Sequence, residues 1–469
     1  MVHGGRRTKV SKCGREPTIC VAASTGAACW LAKAVLLRAA QFVVMSGKAV
    51  TLTRQLSEEH TAGGDEKPRR LTVDDVPSLR MTRKTDRKSS LFENDEYFTP
   101  RSLATSLGGL TIAAEKEPKA DMVFAAICRA LDAGIDDATT CEHGCVAVRN
   151  LTVGLDVSVR VCSVRTVAVA IGAADRVVAA MRRHPLNASI AEHGCAALRN
   201  LGSGADDLAP RRQQDLVDAG ALEVAAEALN RVAATQVKVL EEGAAVIANA
   251  TAGSGADARK AAAADAGCVD AAVTAMRKVT GGAAAVKGDA AAVAVLEVAC
   301  TVLLNVCSGA AAEPHPRKEA AIEARACESL AVALGAGATG EPPLALAATC
   351  ALLTIANGEG AAAGARAQAA VDAGCLAPLA AAMGAHAEIA AMAEVGCKAL
   401  YALTVGSAER QAAAVAAGCT KAVVAARTKF GAETTARAWA DHVLKDCTAK
   451  EDAVAAGAKE TWLSGWRVK

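Results

Sequence analysis

Aromatic residues are scarce in this chain. Its 469 residues include five Phe, four Trp and two Tyr, although 52% of the residues are hydrophobic and Ala is the commonest of them. A core made of Ala and Val requires backbones in close contact, which favours thin helical layers over a thick globular interior. The same scarcity argues against pockets lined with aromatic rings and against platforms on which nucleic-acid bases stack.

The chain also lacks an excess of either charge and a long apolar run. Lys and Arg number 52 and Asp and Glu 50, so the formal net charge of +2 indicates neither a nucleic-acid nor a membrane partner. No uncharged apolar stretch reaches the roughly 18 residues of a membrane helix, and we therefore expect no membrane span. The nearest candidate, residues 18–31, is followed by Lys33 and Arg38.

The 17 cysteines include no CxxC pair. Nine of them recur in two series at intervals of about fifty residues, which predicts small buried side chains in a reducing environment rather than disulfides or metal ligands. The first series is Cys145, Cys195, Cys300, Cys350 and Cys397, and the second is Cys268, Cys327, Cys375 and Cys419.

The N-terminal region differs in charge from the rest of the chain. Residues 1–57 carry nine basic side chains and one acidic side chain, as in an organelle transit peptide. A secretory leader, an unstructured leader and a start at Met45 are the alternatives. Residues 58–118 mix both charges without apolar periodicity, which predicts a disordered linker. Within it, Arg80–Lys88 is a basic segment that suits a kinase site, a weak nuclear signal or a solvated tail.

From about residue 120 the chain is self-similar, and this observation decides the fold. The motif EHGCVAVRNL at Glu142 returns as EHGCAALRNL at Glu192. Weaker copies begin at Glu241, Glu297, Ala347 and Glu394, and successive copies lie 47 to 56 residues apart. A second motif, such as DAGCVDAAVTAM, precedes each copy. Apolar residues three apart predict at least two amphipathic helices per unit. Neighbouring units bury the apolar faces of these helices by stacking into a solenoid.

A helix of the form Gly-Cys-x-Ala-Leu-x-Asn-Leu, followed by a loop and by Ala-Gly at the next helix, resembles the armadillo repeat. The resemblance covers residues 119–458, about seven units, and leaves residues 459–469 as a tail. The sequences of the copies are most similar to armadillo sections of large algal and protist proteins and of leucine-rich-repeat kinases. The resemblance implies an all-α, right-handed solenoid with three helices per unit, whose third helices line a concave groove that binds extended peptides. Residues 280–292 and 335–343 are expected to be long loops.

In that family an Asn on the third helix pairs with the backbone of the bound peptide. The residues at this position are Asn150, Asn200, Asn249 and Asn305, followed by Ile355 and Ala402 in the next two units. We expect the four amides to contact a partner and to lie outside the core. The alternative is a purely structural bond to a neighbouring loop.

Arg149 and Arg199 directly precede two of these Asn residues, so they either suit an acidic partner in the groove or belong to a solvated helix face. The family often has a Trp four residues before the Asn. Here that position holds Val146, Ala196, Ala245, Thr301 and Ala351. The second hypothesis is an importin-like adaptor that recognises basic peptides and whose own basic segment, Arg80–Lys88, occupies the groove. The absence of Trp argues against it. An organelle-imported array is the third.

No residues point to catalysis or to a cofactor. The Gly335–Gly340 segment matches GxGxxG but follows a helix, whereas a dinucleotide site requires a strand before the turn. The His143–Cys145 and His193–Cys195 pairs place Cys and His on different faces, so no metal site is expected.

We therefore predict a non-enzymatic scaffold that binds proteins or peptides in cytoplasm or nucleus, without a nucleic-acid partner, because residues 120–469 carry 32 basic and 37 acidic side chains. Trp439, Trp462 and Trp466 predict either a cap on the end of the array or a docking tail.

Overall fold

The computed structural model describes residues 120–448, apart from residues 154–158, 254, 282–285, 287, 310–312, 314 and 432–433. The side chains of residues 159–162 and 445–448 are also not described. The expected leader 1–57, the linker 58–118 with Arg80–Lys88 and the tail 459–469 with its two Trp residues lie outside these residues.

The described residues form twenty α-helices and no β-strand. In chain order, the helices of the first three units are α1 (Ala120–Ala133), α2 (Ala138–Thr152), α3 (Val159–Ala170), α4 (Ala173–Arg183), α5 (Ala188–Gly202), α6 (Ala209–Asp218), α7 (Ala221–Arg231) and α8 (Val237–Ala250). The next two units contain α9 (Asp257–Asp265), α10 (Cys268–Thr280), α11 (Ala290–Cys307), α12 (Pro316–Glu323), α13 (Ala326–Gly337) and α14 (Pro342–Ala356). The last two contain α15 (Gly360–Asp372), α16 (Leu376–Ala385), α17 (Ala390–Thr404), α18 (Ala408–Ala416), α19 (Cys419–Lys429) and α20 (Thr435–Thr448).

These helices form seven successive units, the first with two helices and the other six with three. We call the members of a unit its first, second and third helix, and α1 and α2 are the second and third helices of unit one. Each third helix packs against its own second helix and against the third helix of the next unit, and the second helices pack in a parallel layer. Helices in close contact belong to the same unit or to neighbouring ones, as in a solenoid. The predicted all-α, armadillo-type array is confirmed.

Local signals fix where several helices begin. Asp137 accepts a hydrogen bond from the Thr140 amide at 2.9 Å, and Asn187 accepts one from the Ile190 amide at 3.1 Å. Each side chain thereby satisfies a free amide in the first turn of a third helix. Prolines occupy the first turns of α6, α12 and α14, where a missing N–H costs nothing.

The core consists of small side chains and of very close helix contacts, as the composition predicts. A Cβ atom built on Gly144 would lie 2.3 Å from Cδ2 of Leu131, and one on Gly194 would lie 2.7 Å from Sδ of Met181. The glycine of the repeated motif therefore lets a second-helix side chain lie directly on the backbone of the third helix.

The expectation of long loops at residues 280–292 and 335–343 is wrong in part. α13 continues to Gly337 and α14 begins at Pro342, so four residues connect them. A Cβ on Gly337 would lie 2.7 Å from the Cα of Ala345, which shows that the end of α13 packs on the backbone of α14. α11 similarly begins at Ala290, with Asp289 accepting hydrogen bonds from two amides of its first turn.

Among the described helices, α11 is long and apolar enough to span a membrane by length and composition alone. In this structure 61% of its 18 residues are buried inside the array. Since α11 lies between α8 and α14, its apolar surface is explained by helix packing.

Candidate functional site

The third helices α2, α5, α8, α11, α14, α17 and α20 lie side by side across all seven units. On several of them a stripe of partly exposed side chains recurs three and four residues apart, for example Glu394, Lys398 and Tyr401 on α17, whereas residues 239–248 of α8 are all buried. We call the surface formed by these stripes the third-helix face. It is the continuous surface on which the sequence places its candidate binding residues.

Three of the predicted Asn residues link each third helix to the preceding one. The Nδ2 atom of Asn200 donates to the Arg149 carbonyl at 3.0 Å, and that of Asn249 donates to the Arg199 carbonyl at 3.1 Å. The Nδ2 atom of Asn305 donates to the Ala248 carbonyl at 3.0 Å. Each Asn thus bonds to the residue just before the corresponding Asn of the previous unit.

The expectation that all four amides lie outside the core is wrong for two of them. Asn200 and Asn305 are only 5% and 6% exposed, since the neighbouring third helix covers them. Asn249 and Asn150 remain partly exposed, and the Asn150 amide oxygen accepts a hydrogen bond from Nε of Arg149 at 3.2 Å. The role of these residues in reading a ligand stays a prediction.

The structure also shifts the repeat register in unit five. Arg366 of unit six donates to the Ile355 carbonyl of unit five. The equivalent Arg317 of unit five donates to the Val306 carbonyl of unit four, one residue after Asn305. Ile355 therefore corresponds to the residue after the Asn position, and Thr354 occupies the position itself. A helix without Asn left the sequence alignment free to slip by one residue.

The two predicted arginines lie on the third-helix face and have partners within the chain. Nη1 of Arg149 lies 3.0 Å from Nδ1 of His193, and Nε of Arg199 lies 3.0 Å from Oε2 of Glu242, whose side chain is buried. Burial, followed by the charge of Arg149, lowers the pKa of His193, so this ring is neutral and accepts the arginine proton. Arg199 is neutralised by Glu242, whereas the partners of Arg149 among the described residues are neutral, so Arg149 keeps its positive charge.

Small side chains occupy the positions that hold Trp in the resembling family. They are Val146, Ala196, Ala245 and Thr301 in units one to four, and with the shifted register Cys350 instead of Ala351 in unit five. Aromatic rings appear on the face at its end instead, where the Trp439 and Tyr401 centroids lie 5.7 Å apart. Trp439 packs against the third helix of unit six, as expected of a cap on the array.

The sequence reading missed a ladder of buried arginines on the first helices. In each case Nε donates to a carbonyl at the C-terminal end of the preceding third helix, at 2.6 to 3.2 Å. The six residues are Arg165, Arg212, Arg259, Arg317, Arg366 and Arg410, all less than 10% exposed. One arginine per unit before an Ala-rich stretch was the available signal, but a charged residue suggested a solvated surface.

The twelve cysteines whose side chains are described are all buried, and none of them forms a disulfide. Burial raises the pKa of Cys141 to about 11 and that of Cys350 to about 12, so these thiols stay protonated. The prediction that the repeated cysteines are small core side chains is confirmed.

Neither weak motif forms a site. Gly335 and Gly337 belong to α13 and Gly340 to the turn after it, so no strand precedes the glycines. Within residues 120–448 as described, no group of His, Cys, Asp or Glu side chains could hold a metal ion.

No protein-family model matches the chain, and no curated protein matches it either. Among solved structures, an engineered protein from the Northeast Structural Genomics Consortium has a TM-score of 0.46 at 22% identity, over 61% of this chain and 97% of that one. A designed armadillo repeat protein in complex with the peptide (KR)4 has a TM-score of 0.43 at 21% identity, over 58% of this chain and 98% of that one.

A structure from a study of the phosphorylation switch between cadherin and β-catenin has a TM-score of 0.40 at 13% identity, over 75% of this chain and 76% of that one. With TM-scores below 0.5, these similarities decide nothing about this chain, whose fold follows from its own helices.

Proposed function

We propose that this chain is a non-enzymatic scaffold that binds an extended peptide or a partner surface along the third-helix face. The observation that supports this proposal is the continuity of that face across seven units. A partner lying across it would contact several units at once, and small increments from each unit would add up to the affinity.

Among the predicted groove residues, Arg149, Asn150 and Asn249 are the ones we propose as direct contacts. Their side chains are partly exposed, and the Arg149 charge has no carboxylate partner among the described residues. Arg199 is proposed as a contact that a partner reaches together with Glu242. Asn200 and Asn305 would act indirectly, by holding neighbouring third helices in register.

The importin-like hypothesis has less support, because small side chains occupy the positions where Trp rings would hold lysine stems. We place the scaffold in the cytoplasm or nucleus, a proposal supported by the lack of disulfides among the twelve cysteines that the structure describes. Import into an organelle remains the alternative, and N-terminal sequencing of the mature chain decides between the two.

The proposal is tested by photo-crosslinking in native lysate. A photoreactive phenylalanine analogue is placed on the third-helix face at Val146, Leu304 or Thr354, and, as matched controls, at the exposed Ala179 and Ala381 of second helices. We expect the same partner bands from the three face positions and not from the controls. Partners that crosslink only through Ala179 or Ala381 would place binding on the second-helix layer and contradict the proposal.

A further inference from the structure

The middle of the third-helix face differs from its ends in charge. α14 contains no charged residue, and the only charged residue of α11 is Glu297. On the same two helices, partly buried apolar side chains that contact the core from the surface include Val298, Leu304, Leu346 and Leu353. We call these four residues, together with Glu297, the central patch.

Glu297 also differs from two acidic residues at the same position of other units. Glu241 has Lys238 at 2.9 Å, and Glu394 has Lys398 at 2.5 Å. The residues one helical turn from Glu297 are Val293, Ala294, Cys300 and Thr301, and none of them is charged. Within the part of the chain that the structure describes, no cation pairs with the Glu297 carboxylate.

The surroundings make this lone carboxylate costly to ionise. Burial, and secondly the negative charge of Glu341 at the start of α14, raise the pKa of Glu297 to about 7. The charged groups on α8, the other neighbouring third helix, are Lys238, Glu241 and Glu242, and they pair with one another. A cation brought by a partner would therefore meet the Glu297 carboxylate without competition from a free ammonium group on the described residues of α8 or α14.

We propose that the central patch binds a partner segment that presents one lysine or arginine side chain to Glu297, flanked by apolar residues that cover Val298, Leu304, Leu346 and Leu353. This inference rests on the proposed function and specifies the partner at the middle of the same face. An apolar surface around a single acidic group selects one cation between apolar neighbours, because a second cation would lose its hydration without gaining a partner.

The test uses a library of random nine-residue peptides displayed on phage and selected on the immobilised full-length chain. We expect the enriched peptides to share one Lys or Arg between apolar residues. Measured by fluorescence anisotropy, Glu297→Gln should weaken a selected peptide about tenfold, as expected for a charge-assisted hydrogen bond. Replacing the peptide's cation with norleucine should cost about the same, and the two changes together should cost little more.

The matched control is Glu192→Gln, which alters the same repeat position in a unit outside the central patch and should change affinity by less than about twofold. For the wild type, affinity should fall between pH 8 and pH 6 as Glu297 takes up a proton, and this fall should vanish in Glu297→Gln. Equal melting curves by circular dichroism establish that the variants are folded.

Enriched peptides without a shared cation, or equal affinity for wild type and Glu297→Gln, would overturn the inference. A photoreactive residue at Leu304 distinguishes a failure of this inference from a failure of the proposed function. Peptides that crosslink there regardless of Glu297 leave the proposed function standing, whereas a selection that enriches no peptide contradicts both.

Discussion

At the scale of single residues, the buried arginines donate hydrogen bonds to carbonyls at the C-terminal ends of helices. The last four carbonyls of a helix have no partner within it, and an arginine offers five N–H donors in a fixed plane. Arg366 illustrates the solution, because Nε donates to the Ile355 carbonyl at 2.8 Å and Nη2 to the Asn357 carbonyl at 3.3 Å. Its charge is offset by Glu313 and Glu319, at 2.8 and 2.6 Å.

Replacing Arg366 with Met should therefore destabilise the array strongly. The variant keeps the volume but leaves two carbonyls without donors and two partly exposed carboxylates without a cation, a loss of about 2–4 kcal/mol. The measurement is urea denaturation followed by circular dichroism. Arg183→Met is the control, because the ion pair of Arg183 with Asp136 is largely exposed and should be worth less than about 0.5 kcal/mol. Equal effects of the two substitutions would contradict this explanation.

His315 links stability to pH. The ring is 1% exposed, and its burial, followed by the charges of Lys318 and Arg317, lowers its pKa below the ordinary value of 6.5. The unfolded chain therefore binds this proton more readily, so the stabilising effect of a neutral His315 is complete above pH 6.5 and is lost as the pH falls below it.

The predicted result is that acidification from pH 7.5 to pH 5 lowers the urea midpoint of the wild type more than that of His315→Gln. Each variant is compared with itself at the two pH values, which removes the constant cost of the substitution. If both midpoints fall in parallel, other groups account for the acid sensitivity.

The candidate site shows what a sequence can indicate at this scale. The repeat spacing placed Asn150, Asn200, Asn249 and Asn305 on equivalent positions of the third helices correctly. It could not show that the Nδ2 atoms of three of them donate to the preceding helix, because that bond depends on the distance between helices of neighbouring units. The unpaired state of Glu297 was equally hidden, since its neighbours come from three different helices.

At the scale of helices, the second helices share one way of starting. Four of them follow a glycine with left-handed backbone, at Gly172, Gly220, Gly267 and Gly418. In unit five Arg325 takes this place with a φ of 60°. The Cβ of a non-glycine residue strains this conformation by roughly 1 kcal/mol.

Arg325→Gly is therefore expected to stabilise the array by about 1 kcal/mol. The ion pair that it removes, with Glu328 at 2.7 Å, is exposed and contributes little. Thermal melting measures the gain, and Arg325→Ala serves as the control, because it removes the same ion pair and keeps the strain. A stability of Arg325→Gly no higher than that of Arg325→Ala would refute the strain argument.

Helices were more predictable than the connections between them. Apolar spacing is a property of one segment, so it located the second and third helices of every unit. The Ala- and Gly-rich stretch from Gly335 to Pro343 suggested a loop, because both residue types are compatible with many conformations. Its helical ends follow from the close contact of Gly337 with Ala345, which belongs to another helix.

At the scale of the whole molecule, stability should be a sum over units and their interfaces. Helices in close contact belong to the same or neighbouring units, so removing one end leaves the other interfaces intact. A chain that ends at Val405 lacks α18–α20 and exposes the side of α17 that Trp439 and its helix cover.

We expect this shortened chain to stay folded through α16, with a lower melting midpoint and with hydrogen exchange accelerated mainly in α17. A chain that ends at Thr251 is the matched comparison, because it retains three units and should melt lower still while remaining helical. This gradation arises because each added unit contributes one more interface, whereas a globular domain loses its entire core when a quarter of it is deleted. Complete unfolding of the chain that ends at Val405 would show that distant units are coupled, which a solenoid of nearest-neighbour contacts does not allow.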